Sequence, residues 1–122
     1  MKQTYETGVT GENQAKEYLE KHFRMICLEQ RYKTKLGEID LIMQDRDMIV
    51  FVEVKTRLTG TMGAGLAAVD RRKQQRMAKC AQFYLLSHHD LNRQVRFDVL
   101  ELTREGILYI PNAFQAYALF HR

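Results

Sequence analysis

The stretch that decides the fold is LGEIDLIMQDRDMIVFVEVK, residues 36–55. Residues 48–55 are so rich in β-branched and aromatic side chains that they predict a central strand buried on both faces. Residues 36–43 predict a second strand, and the polar connection at 44–47 has the length of a hairpin loop. The two strands should therefore pair antiparallel.

The alternation along this hairpin brings acids together. Alternate residues of a strand share a face, so Glu53 and Lys55 point the same way, as do Glu38 and Asp40 on the other strand. If residue 45 pairs with residue 48, Asp40 lies opposite Glu53, and a slip of two residues keeps all four on one face. Opposed carboxylates repel, and Mg²⁺ or Mn²⁺ bound by their oxygens would offset the repulsion. A plain ion pair with Lys55 is the alternative.

The residues before the hairpin predict a helix over 10–23, capped by Thr10, and then a strand over 25–32. Glu12 extends the apolar stripe of Ala15 and Leu19 toward the start of this helix, so its carboxylate should point at the sheet and could reach the hairpin acids. The alternative is that Glu12, in the first turn, only favours the positive end of the helix dipole.

The residues after the hairpin predict a long helix over 68–87, strands over 95–102 and 107–110, and a final helix from Asn112 to Phe120. The order αβββαβ(β)α indicates a mixed α/β domain in which helices flank a central sheet. We expect residues 1–122 to form one such domain.

Basic residues cluster on the long helix. Five of them lie within ten residues that hold a single acid. Lys73 shares a helical line with the apolar Val69 and Met77, so it either extends out to solvent or reaches a phosphate at the site. The others on the opposite side form a basic strip suited to a nucleic-acid backbone, although a solvated helix face is the alternative. The candidate nucleic-acid contacts are Lys73, Arg72, Arg76, Lys79 and Arg57.

The composition fits a soluble globular chain, since 45% of the residues are hydrophobic and 28% are charged. No stretch approaches the roughly 18 apolar residues that span a bilayer, and the N-terminal residues contain no signal-peptide core. We therefore expect a cytoplasmic protein with no membrane partner. Cys27 and Cys80 have no metal-type spacing and are expected to be free thiols.

These residues carry a resemblance to a known site. Glu12 on the first helix, residues 37–42 on one strand and residues 51–55 on the next resemble the PD-(D/E)xK site of restriction-endonuclease-like proteins. More narrowly, the chain resembles the YraN family of small bacterial proteins, which is similar in turn to archaeal Holliday junction resolvases. Residues 8–15, Val69 with Lys73, and residues 96–99 also match this pattern. Ile39 stands where the general motif has proline.

The resemblance implies a restriction endonuclease-like fold and a metal-dependent nuclease that hydrolyses DNA phosphodiesters, of branched or single-stranded DNA in repair or recombination. Carried over by position, Asp40 and Glu53 would bind Mg²⁺ or Mn²⁺, Glu12 would be an auxiliary ligand, and Lys55 would act on the attacking water or the phosphate. A resolvase-like enzyme needs two sites and hence a homodimer. The alternatives are a catalytically inactive nuclease-like module that binds nucleic acid or serves as a scaffold, and a subunit of a larger repair assembly.

Overall fold

The computed structural model describes residues 2–57 and 69–115, with the backbone alone described for residues 2–9. The elements are α1 (Lys2–Phe23), β1 (Ile26–Thr34), β2 (Gly37–Asp45), β3 (Met48–Arg57), α2 (Arg71–Ser87), β4 (Val95–Thr103) and β5 (Gly106–Phe114). The strands form one sheet in the order β1-β2-β3-β4-β5. Only the β3–β4 pair of this sheet is parallel, and the other three pairs are antiparallel.

The helices cover opposite faces of the sheet. Alternation along β3 sends Val50 and Val52 into a core shared with Ala15 and Leu19 of α1, while Phe51 packs in the core that contains α2. Because a strand with helices on both faces has no solvated side, its residues 49–53 are all buried. The predicted central strand is confirmed. The mixed sheet and the order αβββαββ are compatible with the restriction endonuclease-like fold.

The first helix begins earlier than predicted. It starts at Lys2, and Thr10 is an exposed interior residue instead of the cap. Continued helical turns upstream take the place of the side-chain cap that the pattern suggested. The close approach of α1 to the sheet requires Gly11, because a Cβ atom there would lie 2.5 Å from the Thr56 Oγ1 atom and 3.2 Å from the Leu102 Cδ1 atom.

The long helix begins later than predicted. Asp70 is its N-cap, and the carboxylate accepts a hydrogen bond of 2.9 Å from the Lys73 N–H. Residues 69 and 70 are therefore outside the helix, and residue 68 lies outside the described ranges. The bounds of β1, β2, β3 and β4 agree with the sequence to within two residues.

The predicted final helix is wrong at its start. Residues 112–114 belong to β5, and the remaining predicted residues up to Phe120 fall mostly outside the described part of the chain. Pairing across the sheet overrides the cap signal of Asn112, since Phe114 pairs with Phe97 and is buried against it. Asn112 has a φ of 52°, and its N–H donates to the Asp98 Oδ1 atom at 2.8 Å. Neither helix among the described residues is long and apolar enough to cross a membrane.

Candidate metal centre

The site lies where β2 and β3 stop pairing. The predicted hairpin register is confirmed: pairs run from Asp45 with Met48 to Leu41 with Val52. Beyond that point the Val54 N–H donates to the side chain of Asp40, at 2.8 Å from the Oδ2 atom. The carboxylate of Asp40 thus takes the place of a main-chain acceptor in the ladder. Ile39 and Ile42 are three residues apart, and regular alternation would send them to opposite faces of the sheet. They nevertheless pack in the same core cluster, so alternation along β2 is interrupted at Asp40.

Three carboxylates from two elements converge at this opening. Oxygen atoms of Glu12, Glu38 and Asp40 all lie within 4.8 Å of one another. Glu12 is only 8% exposed and sits well inside α1, so the prediction that it occupies the first helical turn is wrong and the dipole does not explain it. As predicted from its place beside Ala15 and Leu19, the Glu12 side chain reaches the hairpin acids.

One oxygen of Glu12 is left without a hydrogen bond. Its Oε1 atom is buried and has no hydrogen-bond partner among the described residues. The Arg31 Nη1 atom lies 3.7 Å away, within ion-pair range but too far for a hydrogen bond. A buried carboxylate oxygen without a donor is costly, so a ligand that supplied positive charge here would stabilise it.

The pKa values show that the acids repel one another. Burial and, after it, the neighbouring charges of Glu53 and Glu12 together raise the pKa of Asp40 to about 8, against the opposing effect of the hydrogen bond from Val54. Burial also raises the pKa of Glu12, where Arg31 opposes the shift and Glu38 adds to it. The cluster is therefore a place where ionised acids are unfavourable unless a cation joins them.

Glu53 connects the acids to two lysines. It is 3% exposed, and its Oε2 atom contacts the Nζ atom of Lys73 and, at 3.1 Å, that of Lys55. Burial, together with the hydrogen bond to Lys73, lowers the pKa of Lys55. Burial opposes the shift at Lys73, but hydrogen bonds to Glu53 and Lys55 outweigh it and raise the pKa. Lys73 was expected either to extend out to solvent or to reach the site. In the structure its side chain reaches the site, where it contacts Glu53.

The remaining predicted basic residues lie outside this cluster. Arg72, Arg76 and Lys79 are exposed, while the line through Val69 and Met77 is buried as predicted. Arg57 is half-buried at the end of β3, and its Nε atom has no hydrogen-bond partner in the described part of the chain. Arg72, Arg76 and Lys79 thus form a basic strip along the exposed side of α2.

A second buried polar network lies on β4 and β5, beside residues 50–52 of β3. Asp98 is fully buried and accepts hydrogen bonds from Arg96, at 2.9 and 3.1 Å, and from the Tyr109 hydroxyl. Arg96 also lies 3.5 Å from Asp45, at the closed end of the β2–β3 hairpin. The sequence pattern gave no sign of Tyr109, because β5 brings it in from outside the motif.

The donor set fits a divalent cation. Hard carboxylate oxygens suit Mg²⁺ or Mn²⁺, and three of them within 4.8 Å can share one ion. The orphaned Glu12 Oε1 atom and the raised pKa of Asp40 are both relieved by a bound positive charge. The resemblance had carried over Asp40, Glu53 and Glu12 as ligands; the geometry adds Glu38, which the alternation of β2 had already placed beside Asp40.

Comparison with known proteins identifies similar chains. The model of the family described as "Uncharacterised protein family UPF0102" matches residues 11–102. A UPF0102 protein of Caldanaerobacter subterraneus subsp. tengcongensis is 45% identical over 114 residues, which cover 88% of this chain and 93% of the relative. One from Geobacter metallireducens is 42% identical over 112 residues, with 88% and 91% covered. One from Dictyoglomus thermophilum is 38% identical over 115 residues, with 89% and 97% covered.

Proposed function

Because this chain belongs to the uncharacterised protein family UPF0102, the YraN family that its sequence resembles, we propose its function from the site: a metal-dependent nuclease that hydrolyses DNA phosphodiesters. The family description names no activity. The observation that carries the proposal is the convergence of Glu12, Glu38 and Asp40 within 4.8 Å, beside Lys55. Acids that could hold a metal, a lysine beside them and a nearby basic surface fit metal-assisted phosphodiester hydrolysis.

Glu12, Glu38 and Asp40 would hold Mg²⁺ or Mn²⁺, and Glu53, which lies against Asp40, would be a further acid of the site. A cation held there would polarise a phosphate oxygen and lower the pKa of a bound water. Asp40 has a second task, because its Oδ2 atom fixes the Val54 N–H. That hydrogen bond holds the carboxylate in one orientation before any ligand arrives.

Lys55 is placed to handle a proton at the site. Its Nζ atom lies 3.1 Å from the Glu53 Oε2 atom, and burial lowers its pKa. A lysine with a lowered pKa releases its proton more readily and can take one from an attacking water or neutralise phosphate charge. Lys73 contacts the same Glu53 oxygen and would remain as its cationic partner while Lys55 exchanges a proton.

The basic strip supplies the contact to the DNA backbone. Arg72, Arg76 and Lys79 recur at helical spacing on the exposed side of α2, and Lys73 connects that helix to the acids. Such residues bind phosphates without regard to sequence and make affinity depend on salt. Arg57 is included in this proposed contact surface at the end of β3. If the enzyme acts on both strands of a junction, a homodimer would supply the second site.

A second candidate function is a catalytically inactive module that binds nucleic acid. The observation in its favour is that Glu53 already pairs with two lysines, so part of the cluster is neutralised without a metal. This module would bind DNA through α2 and would have no need of a cation. The two functions therefore differ in their metal dependence.

The test combines Mn²⁺ binding, measured by calorimetry, with cleavage of junction, flap, single-stranded and linear DNA in Mg²⁺ or Mn²⁺. We expect Asp40→Asn to lose both Mn²⁺ binding and DNA cleavage. The matched control is Asp47→Asn, an exposed acid in the turn of the same hairpin, which should keep both. Cleavage that survives Asp40→Asn would refute the proposed site, and DNA binding without Mn²⁺ binding or cleavage would favour the inactive module.

A further inference from the structure

A groove runs beside the acid cluster, between the β1–β2 turn and the first half of α2. It has a volume of about 510 Å³. The turn contributes Lys35 and Leu36, and the helix contributes Lys73, Arg76 and Met77. Glu38 lines the same groove and is also one of the three clustered acids. The groove, which we call the β1–β2 groove, is therefore continuous with the candidate metal centre.

The walls of this groove are held in place by local contacts. The Thr34 Oγ1 atom accepts a hydrogen bond of 3.0 Å from the Leu36 N–H and lies 3.2 Å from the Cys80 Sγ atom on α2. Gly37 packs directly on the helix, where a Cβ atom would lie 3.7 Å from the Arg76 Cβ atom. The turn is thus fixed against α2, and a ligand would not have to order it first.

The chemistry of the lining suits one nucleotide. Lys35, Lys73 and Arg76 offer positive charge for a phosphate, while Leu36, which is 45% exposed, offers an apolar surface for the face of a base. The planar guanidinium of Arg76 can also stack on a base. Grooves that combine positive charge with flat or apolar side chains bind single-stranded nucleic acid.

The size of the groove fits one nucleotide better than a duplex. A volume of 510 Å³ falls in the range of roughly 300 to 1,000 Å³ that encloses a small-molecule ligand. A paired duplex is read by protein segments that enter its own grooves, the major one being about 12 Å wide, whereas a concave site of this size receives a nucleotide outside the base stack. A bound phosphate next to Glu38 would then lead the strand directly to the acids.

We propose that the β1–β2 groove binds an unpaired DNA nucleotide adjacent to the phosphate that is cut, so the substrate is DNA with a single-stranded segment at the cleavage point. This inference rests on the proposed nuclease function. It assigns Leu36 and Arg76 as residues that determine specificity for unpaired DNA, and it gives the β1–β2 turn a role that the motif residues do not have.

The test measures binding without a divalent cation, so that it does not depend on catalysis. The probes are a short fluorescent DNA single strand and the same strand in a duplex, followed by fluorescence anisotropy in EDTA. We expect the single strand to bind several-fold more tightly than the duplex. Leu36→Ser and Arg76→Gln should each weaken single-strand binding by about tenfold, and Leu36→Ser should leave duplex binding within about twofold. Lys21→Ala, which removes an exposed charge from the last turn of α1, is the matched control and should change neither.

Equal affinity for both probes, or unchanged single-strand binding by Leu36→Ser, would overturn the inference. Its failure is distinct from failure of the proposed function. If Mn²⁺ binding and cleavage that depend on Asp40 persist while the single-strand preference is absent, the groove assignment falls and the nuclease stands. If the groove binds single strands as expected but Asp40→Asn has no effect on metal binding, the metal site falls and the groove stands.

Discussion

Replacing Asp40 with asparagine should stabilise the protein in the absence of metal. The carboxyl is buried among other acids, and its pKa rises from 3.8 to about 8. Asparagine has the same shape, keeps an oxygen for the Val54 N–H, and carries no charge. Asp40→Asn therefore removes the repulsion from Glu53 and Glu12 while it preserves the hydrogen bond that shapes the hairpin opening.

The size of the effect follows from the pKa shift. The pKa of the unfolded carboxyl lies about three pH units below pH 7. At 1.36 kcal/mol per unit, keeping the carboxyl buried at pH 7 lowers the free energy of unfolding of the metal-free protein by roughly 4 kcal/mol. Asp40 remains partly exposed, so water screens part of this cost, and we expect the free energy of unfolding to rise by about 2 kcal/mol. For a chain of this size the melting temperature should rise by about 8 °C.

The pH dependence gives the sign of the effect. A carboxyl whose pKa is raised on folding binds its proton more tightly in the folded state. The folded wild-type protein is therefore favoured by the protonated carboxyl at low pH, and its free energy of unfolding falls as pH rises from about 3.8 through about 8. Asp40→Asn does not titrate, so its advantage should be near zero at pH 4 and close to complete at pH 8. Aspartate is thus the less stable choice at neutral pH when no cation is bound.

The assay is thermal unfolding followed by circular dichroism, at pH 4 and pH 7, in EDTA and then with Mn²⁺. Mn²⁺ at about 100 times its dissociation constant should stabilise the wild-type protein by about 2.7 kcal/mol and leave Asp40→Asn unchanged. Asp47→Asn should lie within about 0.5 kcal/mol of wild type throughout. A loss of stability in Asp40→Asn at pH 7 in EDTA, or a gain of equal size at pH 4, would refute the reasoning about acid repulsion.

Three further predictions test the chemistry and the packing. Lys55→Met should lower the rate of DNA cleavage by about 100-fold or more while calorimetry finds Mn²⁺ affinity unchanged, since this side chain is assigned a proton and not a metal. Gly11→Ala should destabilise the fold by about 1 to 3 kcal/mol in urea unfolding, because the methyl group would meet the sheet, whereas Gln14→Ala on the exposed side of α1 should have little effect. Asp98→Ala should cost about 3 to 5 kcal/mol in the same assay, because Arg96, the Tyr109 hydroxyl and the Asn112 N–H all lose the buried acceptor that they share; a loss below 1 kcal/mol would mean that the network is solvated.

The hairpin was predictable because its signals are local. The apolar run of β3 and the short connection at 44–47 determine the hairpin register. Alternation within β3 then places Glu53 on the face of the sheet opposite to Val52, which packs in the core with α1. The helical line from Val69 likewise predicted that Lys73 would start toward the buried side. Each of these inferences uses a fixed spacing within one element, and such spacing is what a sequence states directly.

The opening of the hairpin was not predictable in this way. Alternation assumes that the ladder continues, whereas the Asp40 carboxylate replaces a main-chain acceptor and ends it. Which acids meet there also depends on how closely α1 approaches, and that distance is set by Gly11 against Thr56 and Leu102. The predicted helix from Asn112 failed for the same reason, since a cap preference is weaker than pairing with a buried strand.

The topology explains why Lys73 lies at the acids. Since β3 and β4 are parallel, the connection between them must carry the chain back along the sheet, and α2 is the helix in that connection. The start of α2 packs near the carboxyl end of β3, where Glu53 lies, and Lys73 in the first turn reaches it. That turn contains Arg71, Arg72 and Lys73 and no acid, although positive charge at a helix start costs about 0.3 to 1 kcal/mol per residue against the dipole. Glu53 offsets this for Lys73 alone. A polyanion along the same end of α2 would offset the dipole cost for the two arginines. The positive charges that destabilise the start of the helix in the free protein are therefore the ones that would bind a DNA backbone.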